Sequence, residues 1–203
     1  MRTAPPPIRA CKTAIWLLCL APLLRLVWKG FHDGLGANPI EFVTLSTGTW
    51  ALVLLLVSLS VTPLRQLTGI AWLIRFRRLV GLFAFFYAVL HFTTYIWLDQ
   101  FFDLNSIYRD VIKRPFITIG FAAFVLLLPL AITSNNTMIK KLGRRWQTLH
   151  RLIYPIAILA VLHYWLLVKQ DVTQPLIYAT VLSMLLGYRV WKYFLNRGFM
   201  KKS

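Results

Sequence analysis

The chain has 203 residues, of which 58% are hydrophobic and only 14% charged, with a mean hydropathy of +0.64. That composition excludes an ordinary soluble globular domain, which carries nearer a quarter charged residues. The net charge of +17 would suggest nucleic acid in a soluble chain, but here the basic residues cluster in short segments between apolar runs, where they set membrane topology and imply no nucleic acid.

Apolar runs of membrane-spanning length predict an all-α integral membrane protein, a six-transmembrane-helix bundle forming one domain over residues 1–203. The expected spans are residues 13–28, 48–62, 79–98, 116–133, 149–168 and 175–193. Arg2, Arg9 and Lys12 precede the first run, as in a signal peptide, but no convincing A-x-A site follows, so it reads as an uncleaved anchor. Cys11 and Cys19 make no CxxC, CxxCH or zinc spacing, which argues against covalent haem attachment and iron–sulfur ligation and reads as free thiols at the start of a membrane helix. Turns such as "GLGANP" and "VTPLRQLTG" punctuate the spans. There is no separate soluble domain, and no internal repeat strong enough to use. The N-terminus, the second and fourth loops and the C-terminal tail hold 17 of the 23 basic residues. All six acids, Asp33, Glu41, Asp99, Asp103, Asp110 and Asp171, fall on the other side. The basic side, with both termini, is expected to be cytoplasmic.

Four histidines remain, and three lie in or at the edge of apolar spans, where an ionisable side chain marks function by default. His32, in "FHDGLGANP", reads as a plain interfacial residue. At about 1.5 Å per residue, His91 lies about 18 Å along the third span and His163 about 21 Å along the fifth, nearly level in the outer half. His150 sits near the cytoplasmic edge. Two level imidazoles are what a six-coordinate haem iron needs. The competing readings are hydrogen bonds between helices or a proton path. The spans contain no acid, which argues against a proton-coupled pump. His150 and His163 are 163 − 150 = 13 residues apart, a rise of about 20 Å and a net rotation of about 220°, so on an unbroken helix they would not share a face. Pro155 lies between them and is able to re-phase the helix. Tyr95, Trp97, Tyr164 and Trp165 are expected to form an outer aromatic belt.

The stretch "AITSNNTMIKKLGRRWQTLHRLIYP" resembles the signature of ferric-reductase-like transmembrane domains, with its T-S turn, L-G-x-x-W and L-H-R-L-x-Y leading into the fifth span. Within that superfamily "GLGANPIE", "STGTWAL", "VTPLR", "RRLVGL" and "KRPFITIG" resemble the loops and span starts of the haem-binding membrane subunits of periplasmic methionine-sulfoxide reductase systems. The resemblance runs from about Trp16 to Trp191. It implies a b-type cytochrome of the bacterial inner membrane, an electron-transfer subunit with no substrate chemistry of its own. Such a subunit takes electrons from the quinone pool or a cytoplasmic flavin donor. It passes them to a periplasmic molybdopterin-containing reductase that repairs methionine sulfoxide in envelope proteins.

The resemblance also implies that His91, His150 and His163 are the haem histidines, with one or two haem b and FMN as cofactors. Oxidase members carry two histidines on the third span, 14 apart; here that earlier position is Arg77. Arg77 and Arg78 suit a phosphate or a haem propionate at an inner site containing His150, and equally suit topology anchors. A ferric or metalloreductase-type cytochrome served by a separate reductase is the near alternative. A non-redox transporter or scaffold, whose histidines only tie helices together, is the distant one.

Overall fold

In a computed structural model, which describes residues 7–168 and 171–200 (196–200 by backbone alone), the chain is helical with no strand among the described residues. In order come α1 (Ile8–Phe31), α2 (Pro39–Thr68), a 3-10 turn (Ala71–Leu73), α3 (Ile74–Thr94) running into a π turn (Tyr95–Asp99), α4 (Leu104–Lys113), α5 (Pro115–Ile132), α6 (Asn136–Leu142), α7 (Arg144–His150), α8 (Ile153–Leu167) and α9 (Thr173–Met200). Among the described residues five helical stretches are long and apolar enough to cross a membrane: Ile8–Phe31, Pro39–Thr68, Ala71–Asp99, Pro115–Ile132 and Arg144–Leu167. The sixth expected span falls inside α9, which also carries Arg189 and Lys192 and does not meet that standard. Arg2 and the basic tail residues Lys201 and Lys202 lie outside the described residues.

Caps set the helix ends. The Asn38 side chain accepts from Glu41 N–H and Pro39 opens α2, while Gly69, at φ +71°, closes it. That makes α2 30 residues long, well beyond the expected 48–62. The third expected loop contains α4, started by Asp103, whose carboxylate accepts from Asn105 and Ser106 N–H. Leu104, Tyr108 and Ile112 form an exposed apolar stripe on it, one helical turn apart.

Two antiparallel pairs, α2 with α3 and α5 with α8, carry most of the packing, around a core that includes Leu55, Leu59, Ala84, Leu127 and Ile156. Prolines inside helices create backbone vacancies that side chains from other helices fill. Pro63 has no N–H, so the Leu59 carbonyl one turn earlier loses its helical donor. The Arg189 guanidinium donates to that carbonyl and to Leu185 O, and lies 5.5 Å from the Tyr154 ring centre, fastening α9 to α2 and α8. In α1, beside Pro22, the buried Tyr87 hydroxyl donates to Cys19 O (2.8 Å) and accepts from Leu23 N–H (3.0 Å). It thus stands in for the i→i−4 bond of that turn and docks α1 on α3.

The fifth expected span is not one helix. Arg151 and Leu152 form a turn with i→i+3 bonds between α7 and α8. Pro155 explains the break: it cannot donate to Arg151 O, and its ring clashes with that carbonyl in a continued helix. In α8 it occupies the first turn, where an N–H would have no helical partner.

Candidate functional site

His91, near the end of α3, and His163, near the end of α8, face each other with ring centres 6.0 Å apart and planes at 70°. His91 Nδ1 is 2.9 Å from Thr44 O and His163 Nδ1 is 2.7 Å from Phe116 O. A carbonyl only accepts, so each Nδ1 carries the proton and each Nε2 keeps its lone pair. This is how proteins fix a metal-binding imidazole: the second nitrogen is tied to an oxygen, which sets tautomer and orientation together.

Each ring lies against a glycine. A Cβ on Gly48 would come 3.0 Å from the His91 ring, and one on Gly120 would come 2.7 Å from His163 Nδ1. Each glycine is four residues after the accepting carbonyl, so one turn of α2 or α5 supplies both the acceptor and the space. The two halves match residue for residue. Each histidine bonds a carbonyl 47 residues earlier in the chain, and histidines and glycines alike are displaced by 72 positions (163 − 91 and 120 − 48). "AVLHF" at 88–92 and "AVLHY" at 160–164 carry the same offset. This corrects the expectation that no repeat could be used. The α2–α3 and α5–α8 pairs are two copies of one device.

Both histidines line a cavity of about 580 Å³. Its deep part is apolar, with Leu55, Ala84, Ala88, Phe124 and Leu127. Its polar residues, among them Asn38, Glu41, Asp99 and Arg114, gather at the end bearing α4. The donor set suits a flat, largely apolar cofactor with one metal. A metal–nitrogen bond of about 2 Å on each side, plus about 1 Å to each ring centre, would put two imidazoles sharing one metal about 6 Å apart. The observed 6.0 Å matches. Among the described residues no group of three or more His, Cys, Asp or Glu forms an alternative metal site.

His150 does not join this pair and does not line the cavity. Its Nε2 is 3.1 Å from Thr133 Oγ1, whose proton goes to Pro129 O. Trp146 stacks on the imidazole at 3.9 Å and donates through Nε1 to Thr133 O. Arg77 lies within electrostatic reach of His150 and of Arg189, and donates to Thr62 Oγ1. Arg78 turns to Asn136 instead. These groups form a second, basic cluster at the end opposite α4. His32 stacks on Trp28 and contacts its carbonyl, as an interfacial residue would. Of the expected aromatic belt, Trp97 and Trp165 are exposed, whereas Tyr95 and Tyr164 turn to the cavity.

Sequence reading missed Gly48, Gly120, Thr44 and Phe116. The signal that could have found them is the 72-residue offset that glycines and histidines share.

Residues 47–161 match the family model described as ferric reductase like transmembrane component. Curated relatives named "Protein-methionine-sulfoxide reductase heme-binding subunit MsrQ" are similar over nearly their whole length. That of Ralstonia nicotianae is 56% identical over 190 residues, 92% of this chain and 88% of the relative. That of Herminiimonas arsenicoxydans is 54% identical over 191 residues, 93% and 88%. That of Bordetella pertussis is 52% identical over 203 residues, 98% of each. No solved structure matches the chain.

Proposed function

The chain belongs to the protein-methionine-sulfoxide reductase heme-binding subunits, within the ferric reductase like transmembrane components, and we propose that it is a b-type cytochrome carrying electrons across the bacterial inner membrane. The observation that carries this reading is the His91–His163 pair, with both Nε2 lone pairs left for one metal across a largely apolar cavity. Haem b, when bound, supplies the one-electron chemistry. The chain's part is to hold and tune it. Thr44 O and Phe116 O accept hydrogen bonds from the Nδ1–H groups and make the imidazoles more basic ligands. Gly48 and Gly120 let the rings lie close against their helices, and the apolar lining keeps water from the ligand nitrogens.

The α4 end is periplasmic in this proposal and the α6–α7 end cytoplasmic, with six spans and both termini inside, as the charge distribution favours. Electrons enter from the quinone pool or a cytoplasmic flavin donor. They leave to a periplasmic molybdopterin-containing methionine-sulfoxide reductase. The basic cluster of His150, Arg77 and Arg78 is the inner site, holding FMN or a second haem. The Arg77 guanidinium near the His150 imidazole, with Arg78 on the same helix, favours an anionic group there.

Purified protein tests this directly. A dithionite-reduced Soret and α band, with at least one extractable haem per chain, is expected, and FMN counted in the same extract decides what the inner site holds. A colourless, folded preparation would return the protein to the non-redox reading.

A further inference from the structure

α4 lies across one end of the bundle. It joins the π turn that ends the third span to the start of α5, and its Ile107 and Val111 line the cavity with Asn38 and Glu41 from the start of α2. Ends of three membrane-spanning stretches thus meet at this helix, which sets it at the level where a bilayer gives way to water. It is 10 residues long, and at about 100° per residue its side chains divide into two halves. Ile107, Val111, Leu104, Tyr108 and Ile112 follow one another round one half. Asn105, Arg109, Lys113, Ser106 and Asp110 fill the other. The dividing plane runs along the helix axis, as in a helix that lies flat in an interface.

The rest of the chain covers only part of each half. Ile107 and Val111 face the cavity, Ser106 donates to Gln100 Oε1, and Asp110 accepts from Gln100 and Tyr95. Leu104, Tyr108 and Ile112 stay exposed, Leu104 by 78%. On the polar half Arg109 and Lys113 are exposed, and neither pairs with an acid among the described residues.

The turn before α4 is the second observation. Phe101 and Phe102 have φ of 48° and 61°, a left-handed backbone that bulky L-residues rarely adopt. The turn is held by bonds from Phe102 N–H to Ile96 O and from Asp103 N–H to Gln100 O, both 2.9 Å. Strain of this kind persists where it places side chains for a purpose. Here it leaves both rings exposed, shortly after an exposed Trp97. Packing within the chain does not account for them, whereas burial of two phenyl rings in hydrocarbon outweighs the strain.

We propose that α4 and this turn are an interfacial anchor. Phe101, Phe102, Leu104, Tyr108 and Ile112 sit in the acyl–headgroup boundary of the bilayer, and Arg109 and Lys113 reach the lipid phosphates. The direction of the apolar half chooses lipid over a docked protein. Ile107 and Val111 point into the bundle, and Leu104, Tyr108 and Ile112 continue that half beyond its edge, where lipid surrounds the spans. A protein arriving from water would meet Asn105, Arg109 and Lys113 instead. One helix thereby roofs the cavity with its inner side and is seated in lipid by its outer side. Nothing in this depends on what the cavity holds.

Nitroxide accessibility tests it, in nanodiscs of phosphatidylethanolamine and phosphatidylglycerol. The label is placed on single cysteines in a Cys11→Ser background, whose Cys19 is buried. Leu104→Cys, Tyr108→Cys and Ile112→Cys should show an oxygen-to-nickel-chelate accessibility ratio several-fold above that of Asn105→Cys, Arg109→Cys and Lys113→Cys, since oxygen concentrates in hydrocarbon and the chelate stays in water. Equal nickel access at all six would overturn the anchor and leave a face open for a protein from the water side. Exclusion of both reagents at 104, 108 and 112 would overturn it in favour of a contact with a second copy of the chain. Should the cysteine variants fail to insert, the unsubstituted chain decides. A carbene-generating phospholipid in the same nanodiscs should label the stretch 101–112, and the absence of adducts there also overturns the proposal.

Discussion

Gly120→Ala adds one methyl group, and the structure says where it goes. The new Cβ would sit 2.7 Å from His163 Nδ1 and 2.8 Å from Cε1, about 0.7 Å short of ordinary contact. The ring must move away from α5, but its Nδ1–H bond to Phe116 O, now 2.7 Å, points at that same helix. A shift of that size takes the bond to about 3.4 Å, beyond useful length. The loss of one hydrogen bond, about 1 kcal/mol, adds to an overpacking cost of about 1–3 kcal/mol. The helix propensity gain of about 1 kcal/mol for Ala over Gly offsets only part. Cofactor affinity should fall by roughly 10–100-fold, since the bond that orients a ligand is lost. Gly48→Ala, meeting His91 at 3.0 Å, should show a smaller version of the same defect. Gly187→Ala, with nothing within 4 Å, is the control and should be neutral or slightly stabilising. The assay is haem per polypeptide and low-spin absorbance after identical purification. Full haem content and unchanged spectra in both Gly48→Ala and Gly120→Ala would refute the cradle.

Three further outcomes are expected. Tyr87→Phe should lower stability by roughly 1–3 kcal/mol, because Cys19 O and Leu23 N–H lose their shared partner; thermal unfolding in detergent checks it, and an unchanged midpoint would mean that α1 closes its own turn. A reporter after Ser203 should read as cytoplasmic and one inserted near Asn105 as periplasmic, and opposite labelling would reverse the proposed electron flow. Arg77→Ala should slow reduction from the cytoplasmic side while leaving the His91–His163 spectrum intact, and Arg77→His should raise the haem-to-protein ratio; a wild-type rate and an unchanged ratio would leave Arg77 as a topology anchor.

The part of this site that depends on composition and rise per residue was legible in the chain. Apolar runs mark the long helices, and about 1.5 Å per residue brings His91 and His163 to one level from the sequence alone. What escaped depends on local chemistry within those runs. The extent of α2 follows from Asn38 and Gly69, a cap at each end that hydropathy does not register. α4 is amphipathic and short, so it reads as loop to a search for continuous apolar stretches. The break at Arg151–Leu152 comes from Pro155 and lies N-terminal to it, since the clash is with the carbonyl four residues back. That break also removes the premise of the 220° objection, because His150 and His163 are not on one helix. Gly48 and Gly120 look like helix-weakening residues in isolation; only the histidines beside them give them a purpose. Arg189 reads as a topology charge in sequence, and its bond to Leu59 O becomes intelligible only with Pro63.

The central claim is that His91 and His163 hold one haem iron between them. Its most direct test is the low-spin spectrum of His91→Ala, His163→Ala and the double variant, each reconstituted with haem and compared with the parent chain. Either single substitution should abolish the six-coordinate low-spin signal, and the double should be little worse than either, because both remove a ligand from the same iron. A single variant that keeps the full parental low-spin spectrum would contradict the pairing.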